Sequence, residues 1–228
     1  MNIEISVVLP CYPPHIKYLG SIFNNLASQT VGPKEVILAI SGINPNVKNY
    51  LYQRLKAILR KIPLHIVHST KNQAAGTNRN MGSKLATGSH IMFIDADDLI
   101  HPKKIEATVY FLLKYAPNVL VHSYVLNKPR NFLDKLPLNY LNARVIFNDR
   151  ILSDTFQDLR KRDPKRIVPI KIRGYDHIAR GYPTVTKEVM QKYQFSDRPR
   201  GQDSEFLQEI LCGDGKIIYV DLPLLNYR

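Results

Sequence analysis

Short apolar runs alternate with amphipathic segments through the first half of the chain. The apolar runs have the length of buried strands and lie at residues 5–9, 35–40, 64–67, 90–94 and 119–125. Between them, apolar residues recur three and four positions apart, which predicts helices that begin near Leu19, Pro45 and Pro102. A shorter helix is predicted with Met81 and Leu85 together on its apolar face, and with Gly88 as its C-cap. Strands that alternate with helices favour an α/β fold with a mostly parallel sheet.

The pattern becomes irregular in the second half of the chain. Residues 127–180 mix proline, asparagine and basic residues with short hydrophobic fragments, and we interpret them as a long basic excursion over one face of the domain. Helical spacing returns before Gly213, and residues 217–220 and 224–227 predict two closing strands. We therefore expect a single domain over residues 1–228, with the excursion preceding the C-terminal helix.

Polar turns follow several of the predicted strands. In parallel α/β sheets, ligands bind beyond the carboxyl ends of the strands, at one edge of the sheet. That edge would carry the turn at Pro10, Cys11 and Tyr12, the Ser41–Gly42 turn, and the segment 95–98. Separate turns thus converge on one predicted site.

Composition and charge narrow the range of partners. The chain has 228 residues, is 44% hydrophobic and carries a formal net charge of +13, which favours an anionic partner such as a phosphorylated substrate, a lipid headgroup or nucleic acid. Much of the charge is concentrated in the excursion, which is either a solvated surface or a mobile flap that binds an anionic ligand. Its basic residues include Arg160, Lys161, Arg162, Lys165, Arg166, Lys171 and Arg173.

The cysteine content and the lengths of the apolar runs indicate the cellular compartment in which the protein works. Only Cys11 and Cys212 occur, without spaced partners, so neither a zinc motif nor a disulfide framework is predicted. No apolar run approaches the roughly 20 residues of a membrane span, and no signal-peptide pattern opens the chain. We expect a cytoplasmic protein, with peripheral contact to a membrane surface as an alternative.

The segment Asp95–Ala96–Asp97–Asp98 is the strongest local signal for chemistry. Carboxylates gathered this closely repel one another unless a cation or a helix N-terminus offsets their charge. Oxygen ligands of this kind suit Mg²⁺ or Mn²⁺, which often share a site with substrate phosphates. The alternative is structural, with Asp97 or Asp98 capping the helix that follows Pro102.

Motifs along the chain resemble those of the family-2 glycosyltransferases of the GT-A fold. They occur in the family's order and at its usual spacing, and they leave the basic excursion unmatched. The matching segments lie at residues 6–12 (SVVLPCY), 78–82 (NRNMG), 85–88 (LATG), 91–98 (IMFIDADD), 195–197 (FSD) and 201–206 (GQDSEF). The resemblance implies a single GT-A-type, Rossmann-like domain, with a nucleotide-sugar-binding half at 1–125 and an acceptor-binding half at 126–228.

The resemblance also implies roles for single residues. Pro10, Cys11 and Tyr12 match the turn that cradles the base and ribose, and Arg79 matches a basic residue that reaches the nucleotide. Three further matches lie in one loop: Asp95 near the ribose, Ala96 beside it, and Asp97 as the principal ligand of Mn²⁺ or Mg²⁺. Asp98 is expected to support this loop.

The second half carries the implied catalytic base. Asp203 matches the carboxylate that deprotonates the acceptor hydroxyl in inverting members, with Gln202 where glutamate is common. Ser41 stands where an acidic pair usually reads the base, so UDP is only the default nucleotide. His177, in the excursion, is a further candidate contact to the metal or diphosphate.

These features predict a metal-dependent inverting glycosyltransferase. It would move a sugar from a nucleoside diphosphate sugar to a hydroxyl acceptor. Two alternatives remain at this stage. One is a basic nucleic-acid-binding protein, although no nucleic-acid-binding motif accompanies the charge. The other is a non-catalytic carbohydrate-binding relative of the family.

Overall fold

The computed structural model describes residues 2–147, 183–213 and 215–228. Each strand predicted in the first half is present. The described strands are β1 (Ile5–Cys11), β2 (Glu35–Ser41), β3 (Leu64–Ser69), β4 (His90–Phe93), β5 (Leu99–Ile100), β6 (Val119–Leu126), β7 (Val145–Phe147), β8 (Thr184–Thr186) and β9 (Ile217–Tyr227). β9 runs without a break where two closing strands were predicted, because a register shift at His122/Ser123 in its pairing with β6 accommodates Pro223.

The helices predicted near Leu19, Pro45 and Pro102 and before Gly213 are present, whereas two short helices at Phe132–Lys135 and Lys187–Lys192 were not predicted. The described α-helices are α1 (Leu19–Ala27), α2 (Pro45–Leu59), α3 (Ala75–Ser83), α4 (Lys104–Tyr115), α5 (Phe132–Lys135), α6 (Lys187–Lys192) and α7 (Gln202–Cys212). At the start of α2, Asn44 Oδ1 accepts a hydrogen bond from the Val47 amide at 3.0 Å, so this helix has a side-chain N-cap before Pro45. Within the described residues, none of these helices is long and apolar enough to cross a bilayer.

The strands form one mixed sheet in the order β3-β2-β1-β4-β8-β6-β9-β5, with β7 also pairing with β9. Parallel pairs join β1 to β2 and β4, β2 to β3, and β6 to β9, while β8 lies antiparallel between β4 and β6. The predicted α/β domain is confirmed. Because β1 has β2 on one side and β4 on the other, the strand order reverses between β1 and β4. Such a reversal opens a crevice at the carboxyl ends of the two strands.

Two apolar clusters fix the sheet between its helices. One cluster combines sheet residues with Phe23 of α1, Leu51 of α2 and Phe111 of α4. The other packs Phe93 and Phe195 together with Phe206 of α7. The loops at the crevice are therefore anchored by rigid elements on both sides.

The helix α3 differs from its predicted form. Its buried face carries Asn78, Arg79 and the glycines Gly76 and Gly82, while Leu85 lies beyond the helix end and is exposed. A Cβ on Gly82 would lie 2.6 Å from Val8 Cγ1, so only glycine lets α3 approach the sheet this closely. The predicted apolar face was wrong because close packing and buried polar groups hold α3 in place.

The predicted C-cap at Gly88 was also wrong. Lys84 is the C-cap of α3. Gly88 instead packs against the start of β1, where a Cβ would meet the Glu4 carbonyl oxygen at 2.6 Å.

Candidate active site

The crevice between β1 and β4 gathers side chains from four parts of the chain. The turn after β1 supplies Tyr12 and His15, the loop after β4 supplies residues 95–98, and the start of α7 supplies Asp203. Arg79 enters from α3 beneath them. Because β1 pairs in parallel with β2 and with β4, the predicted turns at Tyr12, Ser41–Gly42 and 95–98 lie at one edge of the sheet.

Arg79 connects the loop after β4 to the start of α7. Its side chain is only 2% exposed, and Nη2 donates to Asp95 Oδ1 at 2.6 Å while Nη1 donates to Asp203 Oδ1 at 2.7 Å. Nη1 also contacts Gln202 Oε1 at 3.3 Å, and the Phe195 ring lies 5.3 Å from Cζ. One guanidinium group therefore fixes two carboxylates that are more than a hundred positions apart in the sequence.

Asp203 combines a restricted environment with access to the crevice. Burial raises the pKa of its carboxyl group above the ordinary value, Arg79 partly offsets this, and Asp95 adds to it. Its side chain is nevertheless 23% exposed. A carboxylate with increased proton affinity that a ligand can reach has the properties of a general base.

Asp97 faces His15 across the crevice. His15 Nδ1 lies 3.5 Å from Asp97 Oδ1, and burial raises the pKa of Asp97, with His15 acting in the opposite direction. The structural alternative for Asp97 and Asp98 does not hold, because α4 begins at Lys104 and its N-cap residue is Lys103. Neither carboxylate is the cap of that helix.

Asp98 belongs to a buried polar cluster behind the loop. It is almost fully buried, and its Oδ1 accepts a hydrogen bond from the Arg228 amide at 3.1 Å. Lys104 is also fully buried, and its Nζ contacts His122 Nε2. His122 Nδ1 lies 2.7 Å from the Ser123 carbonyl oxygen, so Nδ1 carries the proton and Nε2 accepts from Lys104.

Lys104 and Asp98 also interact through their charges. Burial lowers the pKa of Lys104 to about 7, and the Asp98 carboxylate acts against that decrease. The hydrogen bond from the Arg228 amide fixes Asp98 in place, while its support of the loop remains a prediction. Sequence reasoning missed Lys104, because its partner His122 is brought to it only by the fold.

The predicted nucleotide-binding turn contains residues in different environments. Pro10 and Cys11 lie in β1, and burial raises the pKa of the Cys11 thiol to about 12, so this side chain is neutral. Tyr12 is 43% exposed, with its ring centroid 4.3 Å from that of His15. Ala96 is buried, with only 1% of its surface exposed. Of these residues, Tyr12 offers the largest free surface.

Ser41 is fully buried, and its hydroxyl group is engaged by the protein. Its Oγ accepts hydrogen bonds from the Gln73 amide at 3.2 Å and from Asn78 Nδ2 at 3.0 Å. Asn78 Nδ2 also donates to the Cys11 carbonyl oxygen at 3.0 Å, so it joins the ends of β1 and β2. Asn78 is a further residue whose role sequence reasoning did not identify.

The described part of the chain does not contain a ready-made metal centre. No three His, Cys, Asp or Glu side chains among those residues converge as ligands. Asp97 and His15 are two nearby donors that open into the same crevice. The predicted contact at His177 lies outside the described residues, as do the basic residues 160–173 of the excursion.

Comparison with known proteins identifies the family. Residues 6–182 match the profile of Glycosyl transferase family 2, and the chain belongs to this family. An uncharacterized glycosyltransferase of Methanocaldococcus jannaschii is 23% identical over 98% of this chain and 70% of its own length. The minor teichoic acid biosynthesis protein GgaB of Bacillus subtilis is 29% identical over 48% of this chain, which corresponds to 12% of GgaB.

Solved structures share the fold over nearly the whole chain. TarS of S. aureus has a TM-score of 0.68 at 17% identity, covering 99% of this chain and 36% of TarS. The mannosyltransferase PcManGT of Pyrobaculum calidifontis, solved with GDP-Man and Mn²⁺, has a TM-score of 0.63 at 17% identity over 98% of this chain. The chain spans 55% of that mannosyltransferase. The predicted GT-A fold is confirmed.

Proposed function

We propose that this protein transfers a sugar from a nucleoside diphosphate sugar to a hydroxyl acceptor, with inversion at the anomeric carbon and with a divalent cation. The observation that carries the proposal is the pair of ion pairs from Arg79 to Asp95 and Asp203. Through them, the loop at residues 95–98, which we assign to the donor and the metal, is connected to the Asp203 carboxylate, which we assign to the acceptor. A glycosyl transfer needs these two functions side by side.

The donor would lie in the crevice between β1 and β4. The exposed Tyr12 ring offers a face for the nucleobase, and Asp95 borders the same crevice for the ribose. TarS has been solved with UDP and with UDP-GlcNAc, and PcManGT with GDP-Man. We take a UDP-sugar as the default donor. Because Ser41 is engaged by Asn78 and Gln73, backbone groups would contact the base at this position.

The cation would bind at Asp97. The chemistry of the residues fits Mn²⁺ or Mg²⁺, because a partly exposed carboxylate opens into the crevice where the diphosphate would lie. When bound, the cation would supply positive charge to the departing diphosphate. Asp98 is held by Arg228 and would keep the loop in position instead of binding the ion. Phosphate oxygens of the donor and water would be among its other ligands.

Asp203 would act as the general base. The acceptor oxygen forms a bond to the anomeric carbon while its proton moves to the Asp203 carboxylate, and the bond from that carbon to the diphosphate breaks with the electron pair leaving on oxygen. Attack from the face opposite the leaving group inverts the configuration. Arg79 would orient Asp203 and keep it ionised, since Arg79 lowers the pKa of this carboxyl group.

The net charge and the cysteine content support an acidic acceptor and a reducing compartment. The net charge of +13 favours an acidic acceptor, and GgaB is by name a teichoic acid biosynthesis protein. We assign acceptor binding to residues 126–228 and donor binding to residues 1–125. Both cysteines are free thiols, which favours a reducing compartment such as the cytoplasm.

Replacement of Asp97 with asparagine tests the metal site. The variant should fold normally but lose at least about tenfold in Mn²⁺-dependent affinity for UDP or GDP, since a ligating carboxylate becomes a neutral amide. Calorimetric titration with and without Mn²⁺ measures the effect. Asp134→Asn, an exposed carboxylate on α5, is the matched control and should bind as the wild type does. Unchanged metal dependence in Asp97→Asn would show that the cation binds elsewhere.

A further inference from the structure

We propose that His15 is a second protein ligand of the divalent cation, beside Asp97, and that it makes the site prefer Mn²⁺ to Mg²⁺. This inference rests on the proposed function, because it concerns the cation that the donor diphosphate would share. The motif at residues 6–12 ends at Tyr12, so His15 lies outside the segments that resemble the family. The assignment comes from its position in the fold.

His15 is held in a defined place directly after β1. The residues Pro13–Tyr18 form a 3₁₀ helix, and its first turn is closed by a hydrogen bond from the His15 amide to the Tyr12 carbonyl oxygen at 2.9 Å. The imidazole ring packs between Tyr12, at 4.3 Å, and Tyr18, at 5.9 Å between ring centroids. The ring is therefore oriented before any ligand arrives.

The separation of the two donor atoms suits one shared ion. His15 Nδ1 and Asp97 Oδ1 are 3.5 Å apart. Two neighbouring ligands at right angles, each about 2.1 Å from an ion, lie about 3 Å apart, so a small side-chain adjustment suffices. Both side chains keep roughly a quarter of their surface exposed, 26% for His15 and 21% for Asp97. Solvent, and therefore an ion, can reach both side chains.

An ion pair alone is a weak reason for this arrangement. A partly exposed pair of a histidine and a carboxylate contributes about 0–1 kcal/mol to stability. Asp97 also experiences repulsion from the neighbouring Asp95 carboxylate. A cation bound between His15 and Asp97 would reduce that repulsion.

The identity of the donor atom predicts the metal preference. Mg²⁺ binds almost only oxygen and keeps its water ligands, whereas affinity for nitrogen ligands rises along the first-row series that begins with Mn²⁺. An imidazole ligand should therefore strengthen Mn²⁺ binding much more than Mg²⁺ binding. Without His15, the two ions should bind with more similar affinities.

The test uses Mn²⁺ binding to the full chain in the presence of UDP or GDP. In pulsed electron paramagnetic resonance, wild-type protein should show the ¹⁴N modulation of an imidazole bound to Mn²⁺, and His15→Gln should lose it. His15→Gln should also bind Mn²⁺ at least about tenfold more weakly, with little change for Mg²⁺. His65→Gln, the same change on β3, is the matched control and should behave as the wild type does.

The outcomes separate this inference from the proposed function. If the ¹⁴N signal persists in His15→Gln and disappears in His177→Gln, the excursion supplies the ligand and the inference is overturned. An unchanged ratio of Mn²⁺ to Mg²⁺ affinity in His15→Gln, with metal-dependent nucleotide binding intact, overturns the inference and leaves the proposed function standing. If wild-type protein binds neither nucleotide in the presence of Mn²⁺, the proposed function itself fails.

Discussion

Replacement of Asp203 with asparagine should slow sugar transfer roughly 10²- to 10⁴-fold while the affinity for the donor changes little. The size of the loss is that of removing a general base, because an amide does not accept the proton of the acceptor hydroxyl. Donor affinity should persist because Asp203 acts on the acceptor side and contributes mainly in the transition state. Steady-state kinetics for transfer and calorimetry for donor binding measure the two effects separately.

A neighbouring carboxylate provides the control for Asp203. Glu205 lies in the same first turn of α7 but contacts Ser196 and Arg198. Glu205→Gln should therefore retain most of the transfer rate. Loss of donor binding together with transfer in Asp203→Asn would indicate a structural role at the helix start. A normal transfer rate in that variant would remove Asp203 from the mechanism.

Replacement of Arg79 with glutamine should reduce both stability and catalysis. The buried guanidinium compensates two carboxylates, so its loss leaves Asp95 and Asp203 facing each other without a cation. The free energy of unfolding should fall by about 3 kcal/mol, which is the lower end of the range for breaking a buried ion pair. We expect the lower end because both carboxylates keep contact with water. Chemical denaturation measures this change. Catalysis should be affected through the position and the protonation of Asp203.

The pH dependence of kcat/KM distinguishes this role from a purely structural one. Arg79 lowers the pKa of Asp203 against the effect of burial, so its removal should raise that pKa further. The base is active when deprotonated, and the acidic limb of the profile should therefore move to higher pH in Arg79→Gln. Arg79→Lys keeps the charge but not the forked geometry; its acidic limb should stay near that of the wild type while kcat falls. Coincident acidic limbs for the wild type and Arg79→Gln would contradict this account.

Many of the strands and helices could be predicted, because the segments that bury apolar side chains in the core show a clear apolar periodicity. The strand lengths of β1, β2 and β3 and the start of α2 at Pro45 follow from local sequence. The prediction failed at α3, where Arg79 and Asn78 occupy the buried face. A hydrophobic pattern cannot reveal a helix that packs through glycine contact and buried polar groups.

The candidate site was predictable only in part. The motifs predicted that Arg79, Asp95 and Asp203 would share one site, and the structure brings them into contact. Spacing alone did not predict that Arg79 would bind both carboxylates, because that contact depends on how α7 returns to the sheet. His15 and Lys104 were missed because their partners, Asp97 and His122, are brought to them only by the fold. The roles assigned to the site residues remain predictions.

The proposed function requires that the wild-type protein bind a sugar nucleotide. Thermal unfolding should be followed with a panel of UDP- and GDP-sugars, each with and without Mn²⁺. At a hundredfold excess over its dissociation constant, a ligand adds about 2.7 kcal/mol, so we expect at least one sugar nucleotide to raise Tm by about 5–10 °C, and only when Mn²⁺ is present. If no sugar nucleotide changes Tm with Mn²⁺, while random oligonucleotides bind in a salt-sensitive way, the site does not serve glycosyl transfer and the positive charge serves nucleic acid instead.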